Sequence, residues 1–118
     1  MMEISPKSNF SDMSFRYMRL IVFFDLPVGL AKERKEYAKF RKALIKNGFI
    51  MMQESVYSKL LLNAQSAEFE KQFVRNNKPD SGLIQMLLVT ENQYSRMELV
   101  LGDVKTEIVN TTERIVVI

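Results

Sequence analysis

The sequence predicts an α+β domain of the ferredoxin-like, βαββαβ type, with its helices on one face of the sheet and a second copy of the chain on the other. Two observations carry this prediction. Strand-like and helix-like segments follow one another in the required order, and apolar residues occupy both sides of the predicted strands. A sheet that is apolar on both faces needs cover on both, and a second subunit is the natural cover for the face without helices.

The first strand is predicted from Tyr17 to Leu26, and a turn begins at Pro27. Its five consecutive apolar residues, Leu20 to Phe24, are typical of a strand that is covered on both faces. Asp25 lies at the carboxyl end of this strand, at the edge of the sheet where open α/β folds often place their ligands. Asp25 is therefore the first candidate for a catalytic or metal-binding residue.

A helix is predicted from Ala31 to Asn47, and Gly48 follows it as a C-terminal cap. Apolar residues at positions 37, 40 and 44 recur every three or four residues and form a core-facing stripe. The helix carries seven cations and only Glu33 and Glu36 as anions. Lysines recur with a helical period on the face opposite to the core, at Lys35, Lys39, Lys42 and Lys46.

The remaining elements are predicted from shorter signals. Residues 49–62 form one long β segment, with a bend or bulge where polar residues 53–55 interrupt it. In the second helix, from Ala64 to Asn76, the N-cap is Asn63 or Ser66, and the core-facing side chains are Phe69 and Phe73. The other elements are a turn over 77–82, a strand from Leu83 to Val89, a helical turn opened by a capping box over 90–93, a short strand from Met97 to Leu101, a turn at Gly102-Asp103 and a last strand from Arg114 to Ile118.

Length and composition limit the possible chemistry. The 118 residues suit one domain, which we place at 14–118 behind a flexible extension over 1–13. The chain has no Cys and no His, which excludes disulfides, Cys/His zinc sites and Ser-His or Cys-His nucleophile pairs. A metal would therefore be a hard cation on oxygen ligands, such as Mg²⁺ or Mn²⁺. No apolar run approaches the ~20 residues of a membrane span, so we expect a cytoplasmic protein without a membrane partner.

The charge is unevenly distributed along the chain. Residues 1–60 carry 11 Lys/Arg against 6 Asp/Glu, whereas residues 61–118 carry 6 against 8. A basic half beside a mildly acidic half favours one surface that meets a polyanion such as nucleic acid. An ordinary basic domain with a solvated surface is the alternative.

Five segments, taken in order, resemble those of one known family. They are FFDLP at 23–27, ERKEYAKFRKALIKNGF at 33–49, QESVYSKLLLN at 53–63, VTENQYSRM at 89–97 and ERIVVI at 113–118. With the GD turn at 102–103, these segments resemble the small ferredoxin-like CRISPR adaptation protein, the second of the two universal CRISPR-associated proteins, in its type II form. The resemblance spans residues 14–118.

The resemblance implies a homodimer whose two sheets face each other, flanked by two dimers of a companion integrase subunit. Such a complex captures short foreign DNA and inserts it into the CRISPR array. The integrase subunit performs the transesterification, while the small protein bridges the integrase dimers, holds the central duplex and helps to set its length. Some members of the family are also described as metal-dependent ribonucleases or deoxyribonucleases.

The resemblance matches Asp25 to the family's proposed Mg²⁺ ligand. Mg²⁺ takes about six oxygen ligands, so one carboxylate is a poor site, but a two-fold dimer would bring a second Asp25 and share the ion across its axis. The alternative is that Asp25 caps the turn that follows its strand. Phe24 and Met52 stand where nuclease-like members carry a tyrosine and an arginine, which weakens the enzyme interpretation.

The resemblance also implies contacts to the phosphate backbone of duplex DNA without base reading. The alternative is a solvated helix face, partly paired with Glu33 and Glu36. The residues expected at the DNA are Arg16, Arg19, Lys32, Arg34, Lys35, Lys39, Lys42 and Lys46.

Two further groups are expected at protein contacts. Gln53, Ser55 and Tyr57 alternate along the predicted strand and match a block near the dimer axis, where they order water around Asp25 or satisfy buried polar groups. The C-terminal strand adds to the sheet edge of the other protomer or contacts the integrase, or else is an edge strand of its own sheet. Its residues are Arg114, Ile115, Val116, Val117 and Ile118.

Three functional hypotheses follow. The first is a homodimeric, DNA-binding bridge of the integrase complex. The second is an Mg²⁺-dependent endonuclease that uses a pair of Asp25 side chains. The third is a ferredoxin-like dimer that acts as a toxin-type ribonuclease or a regulator, because this fold hosts many functions.

Overall fold

The computed structural model describes residues 17–102, which form a four-stranded antiparallel sheet and three helices. The sheet order is β2-β3-β1-β4, which confirms the predicted ferredoxin-like α+β arrangement. The strands are β1 (Met18–Asp25), β2 (Ile50–Gln53), β3 (Val56–Leu61) and β4 (Leu83–Thr90). The helices are α1 (Ala31–Lys46), α2 (Ser66–Asn76) and α3 (Glu91–Ser95).

Strand β1 lies in the middle of the sheet, between β3 and β4. Because side chains alternate along a strand, Leu20, Val22 and Phe24 point to the helices and are buried in the core. The alternate residues of β1 point to the other surface, which we call the open face. They are Arg19, Ile21, Phe23 and Asp25. Partners that are directly opposite across the ladder share a face, so β3 and β4 each contribute a matching row to it.

Helix α1 covers the helix side of the sheet as predicted. Phe40 and Leu44 are buried, and Tyr37 packs against the same cluster. The ring of Phe24 lies edge-on to Phe40, with centroids 5.1 Å apart. Gly48, just past the helix, has φ +94°, a left-handed conformation that confirms the predicted glycine cap.

The segment expected as one long, bent strand is a hairpin. Strand β2 ends at Gln53 and β3 begins at Val56, so the expected bend is a full reversal of the chain, with a register shift between Met51 and Gln53. The amide of Phe24 donates to the Ser55 carbonyl at 3.0 Å, which ties the tip of the hairpin to the end of β1. The reversal also separates residues that a continuous strand would place on one side.

Helix α2 turns a different face to the core from the one expected. Phe73 packs against the core, but Phe69 is 73% exposed, so its predicted core position is wrong. Glu70 is buried instead, because Asn47 donates to its Oε1 and Lys59 to its Oε2, each at 2.9 Å. A carboxylate is tolerated in the interior when both of its oxygens are satisfied. The helix begins at Ser66, two residues later than predicted, and its N-cap is Gln65 without a side-chain cap, so both predicted caps, Asn63 and Ser66, are wrong. Asn63 Oδ1 instead accepts from the Ser66 amide at 3.0 Å in the turn before the helix.

The last described residues follow the capping box. Thr90 Oγ1 accepts from the Gln93 amide at 3.0 Å, and Gln93 Oε1 accepts from the Thr90 amide at 2.9 Å, as predicted. The strand expected from Met97 to Leu101 is not formed within the described part of the chain. The extension over 1–13, Arg16, Asp103 and the strand at 114–118 lie outside it. None of the helices in residues 17–102 is long and apolar enough to cross a membrane.

Gly82 holds the start of β4 against the end of β1. Its φ is +104°, and a Cβ at this position would lie 2.6 Å from Leu26 Cδ2 and 3.0 Å from the Asp25 carbonyl oxygen. Only glycine combines this backbone conformation with so close an approach. The position of Asp25 therefore depends in part on a glycine that is 57 residues away in sequence.

We predict that Gly82→Ala lowers the free energy of unfolding by about 1–3 kcal/mol, because it adds both left-handed strain and a clash with backbone. The matched control is Gly29→Ala, where the nearest atom to an added Cβ lies at 3.7 Å. Urea denaturation of both variants checks this. Equal stability of the two would show that the approach of Gly82 to Leu26 is not tight in solution.

Candidate functional site

Asp25 lies exposed at the end of β1, beside two other oxygen-bearing side chains. An open cleft at this end of the sheet is lined by Asp25, Ser55 and Gln85 together with apolar residues of β1, β3 and β4. The sequence gives no sign that Gln85 lies at this site. It is opposite Phe23 in the ladder, so it lies on the open face, one pleat along from Asp25. Only the pairing of β4 with β1, which is set by tertiary structure, brings the two together.

Within residues 17–102, the side chain of Asp25 has no hydrogen-bond or salt-bridge partner. Among residues 17–102, it accepts no hydrogen bond from the turn over 26–29, so the turn-capping alternative is not observed. The described part of the chain also contains no group of three Asp or Glu side chains that could hold a metal ion. Residues 17–102 thus supply a single carboxylate to this cleft, with Ser55 and Gln85 nearby.

Five lysines form one stripe along α1. Their spacing of three and four residues places them within an arc of about 80° at 100° per residue. All five are exposed, and within residues 17–102 none pairs with a carboxylate. This lysine stripe consists of Lys32, Lys35, Lys39, Lys42 and Lys46.

The structure adds Lys78 to this surface. Lys39 and Lys78 line the same hollow between α1 and the loop after α2, together with Glu36 and residues 76–80. The sequence places Lys78 in a turn and gives no sign of what lies beside it. Packing of α2 against the sheet brings this turn next to α1, so Lys78 lies beside Lys39 in a hollow that the carboxylates Glu36 and Asp80 also line.

Two of the three arginines expected at DNA, Arg19 and Arg34, make contacts within the protein, and the third, Arg16, lies outside the described residues. Arg34 Nη1 donates to the carbonyls of Val28 and Gly29 at 3.0 and 3.1 Å, which supports the turn before α1. Arg19 lies on the open face, where its Nε and Nη2 donate to the two carboxylate oxygens of Glu91 at 2.9 and 2.6 Å. The structure therefore does not bring Arg19 together with the lysine stripe.

The three residues expected near the dimer axis are dispersed. Tyr57 is 0% exposed on the helix side of the sheet, and its hydroxyl accepts from Arg41 Nε at 2.8 Å. It is a core residue and offers no surface to a second protomer. Ser55 Oγ lies 3.1 Å from the Tyr37 hydroxyl at the edge of the Asp25 cleft. Gln53 is opposite Val56, so it belongs to the open face.

The open face is apolar and partly uncovered. Ile50, Leu83 and Leu87 are each more than half exposed, and Leu60 is exposed beside Arg19. Exposed apolar side chains on neighbouring strands form a patch of the kind that marks protein interfaces. The lysine stripe lies on the helix layer, on the opposite side of the sheet from this patch.

Comparison with known proteins gives a consistent family. The family model for "CRISPR associated protein Cas2" matches residues 18–97. A protein of Treponema denticola is 54% identical over 101 residues, which cover 86% of this chain and all of the relative. Proteins of Ligilactobacillus salivarius and Streptococcus mutans are 46% and 48% identical, over 86% and 84% of this chain and 100% and 91% of their own lengths. All three relatives carry the name CRISPR-associated endoribonuclease Cas2.

One solved structure, described as "Crystal structure of cas2", aligns with a TM-score of 0.50 over 76% of this chain and 92% of the other. The two sequences are 22% identical, so this likeness supports the fold alone.

Proposed function

Because the chain belongs to the Cas2 family of CRISPR-associated proteins, we propose that it is a homodimeric, DNA-binding subunit of the complex that inserts foreign DNA into CRISPR arrays. Two dimers of an integrase subunit flank it in this proposal, and it grips the duplex between them without reading bases. The observation that carries the DNA-binding part is the lysine stripe, five unpaired cations on one arc of α1 within the described chain.

The lysine stripe has the chemistry and the shape of a phosphate-binding surface. Lysine ammonium groups on flexible stems neutralise phosphates by releasing the condensed counterions of the duplex. Phosphate contacts fix the protein on the duplex but carry no sequence information, which suits capture of DNA of any sequence. Lys78 adds a cation beside Lys39, in a hollow where Glu36 and Asp80 offset part of the positive charge.

The open face supports a dimer. Its exposed side chains, Leu83 and Leu87 on β4 and Ile50 on β2, are removed from water if a second sheet packs on them. An isologous interface uses the same patch on both copies and brings equivalent residues together near the two-fold axis. Since the lysine stripe lies on the other side of the sheet, the protein can dimerise and bind DNA at the same time.

A metal-dependent nuclease is the second candidate, and the specific observation for it is the exposed Asp25 carboxylate in a cleft with Ser55 and Gln85. The relatives' name, endoribonuclease, points the same way. In a dimer two Asp25 carboxylates would hold Mg²⁺, which activates water and stabilises charge on a phosphoryl oxygen. Asp25 itself would then orient the ion, and the amide and hydroxyl beside it would orient the water or the phosphate.

We predict that Leu87→Lys raises the dimer dissociation constant roughly 100-fold, because it places a charge in the proposed apolar interface. The matched control is Ile45→Lys on α1, since Ile45 is 47% exposed and Leu87 is 51% exposed. Sedimentation velocity over a range of concentrations measures both. Equal weakening by the two variants would remove the open face from the interface.

We predict that the double variant Lys39→Gln, Lys42→Gln has a shallower salt dependence of duplex binding. The slope of the logarithm of the binding constant against the logarithm of salt concentration decreases in magnitude by about 0.9 for each phosphate that the protein no longer neutralises. The control is Lys71→Gln on α2. Phe73 lines a hollow with α1, and Lys71 lies about 200° around the helix from it, so Lys71 faces away from the stripe. An unchanged slope in the double variant would exclude α1 from the DNA surface.

We predict that Asp25→Asn leaves the free energy of unfolding within about 0.5 kcal/mol of the parent, since Asp25 is exposed and has no partner in residues 17–102. Spacer acquisition and nuclease activity are then measured side by side in highly purified protein. Acquisition that survives while nuclease activity disappears supports the bridging role. Acquisition that collapses while dimerisation and DNA binding persist would contradict a purely architectural function.

A further inference from the structure

We propose that Arg19 is a positioning residue for the dimer and not a DNA contact. It fixes α3 against the open face and so directs the apolar segment Met97–Leu101 onto a second copy of the chain. This inference rests on the proposed dimer and assigns to one charged residue of the open face a role that the sequence did not indicate.

Arg19 contacts two side chains of α3 and so holds this helix in place. Its guanidinium makes a two-pronged pair with Glu91, and its centre lies 4.3 Å from the centroid of the Tyr94 ring. The side chains of Arg19 and Glu91 are only 13% and 27% exposed. Bidentate pairing and cation–π contact both fix the orientation of a guanidinium, and partial burial strengthens them.

A second set of bonds anchors the same helix at its first turn. The amide of Glu91 donates to the Tyr17 carbonyl at 2.9 Å, and the Thr90–Gln93 capping box closes the turn. Because Arg19 points to the open face, Glu91 and Tyr94 meet it from that side. Helix α3 is thus attached at one corner of the open face, and the chain leaves it from there.

The chain that leaves α3 is apolar and uncovered. Met97, Leu99, Val100 and Leu101 are each more than half exposed, and the segment forms no strand of its own. A second copy is the occupant that fits it, because the segment continues from the corner of a face whose own apolar residues need cover. Arg19 lies between the two regions, opposite Leu60 of β3 and Val89 of β4 in the ladder.

A phosphate contact by Arg19 is disfavoured by the same geometry. Both carboxylate oxygens of Glu91 already neutralise the guanidinium, and a phosphate would have to displace them. The residue also lies on the side of the sheet opposite to the helix layer that carries the lysine stripe. A duplex that follows the stripe does not reach it.

The test measures dimerisation and DNA binding separately in the full-length chain. We expect Arg19→Gln, Arg19→Lys and Glu91→Gln each to raise the dimer dissociation constant about tenfold, since lysine keeps the charge but loses the two-pronged fork. We expect no change in the salt dependence of duplex binding, measured at concentrations where every variant is dimeric. The control, Lys42→Gln, shows the reverse pattern.

Leu99→Asp provides the signature of a positioning role. If Arg19 acts through the segment after α3, Arg19→Gln adds little to the defect of Leu99→Asp, whereas independent sites give additive losses. The inference is overturned if Arg19→Gln and Arg19→Lys have the same dimer dissociation constant as the parent. It is also overturned if they reduce the salt dependence of duplex binding as Lys42→Gln does. A parent protein that stays monomeric at all concentrations instead removes the proposed dimer and this inference with it.

Discussion

The register of β1 between β3 and β4 is the constraint on which the rest of the structure depends. It sends Leu20, Val22 and Phe24 into the core and leaves Arg19 and Asp25 on the open face. A slip of one residue would exchange the two sets and would bury a carboxylate and a guanidinium under the helices. On the core side, the ring of Phe24 packs against three other aromatic rings, and this packing strongly favours the correct register over the slipped one. The helix layer, with its lysines, and the open face, with its apolar side chains, are consequences of this choice.

Much of this arrangement could be predicted from local sequence signals. The apolar run that ends at Asp25, the three-and-four spacing of α1 and the Thr90–Gln93 capping box each encode their element in neighbouring residues, and the structure forms all three. The lysine stripe could be predicted for the same reason, since a helical period is sufficient to place it. Apolar residues on both sides of the strands and the basic first half of the chain suggest only a second subunit and a polyanion, and the family resemblance specifies the proposed homodimer and duplex DNA.

The parts that could not be predicted depend on contacts that are distant in sequence. Glu70 can be buried because Lys59 and Asn47 donate hydrogen bonds to its carboxylate. A prediction that places every carboxylate on the surface therefore assigns the wrong face of α2 to the core and expects Phe69 to be buried. The reversal between β2 and β3 carries no glycine or proline, so the segment resembles one strand, and Tyr57 is assigned to the wrong side of the sheet. Strand pairing alone brings Gln85 to the Asp25 cleft, and helix packing alone brings Lys78 next to Lys39.

The central claim is that the two sides of the sheet serve different partners, a second copy on the open face and duplex DNA on the helix layer. The chain has no cysteine, so a single thiol introduced at Leu87 or at Lys46 reports on each side separately. The most direct measurement is the rate of thiol alkylation of the two variants with and without duplex DNA. The account predicts that the thiol at 87 is protected in the protein alone and is insensitive to DNA, while the thiol at 46 reacts freely until DNA is added. Free reaction at 87 in concentrated protein, or at 46 in the presence of saturating duplex, would contradict it.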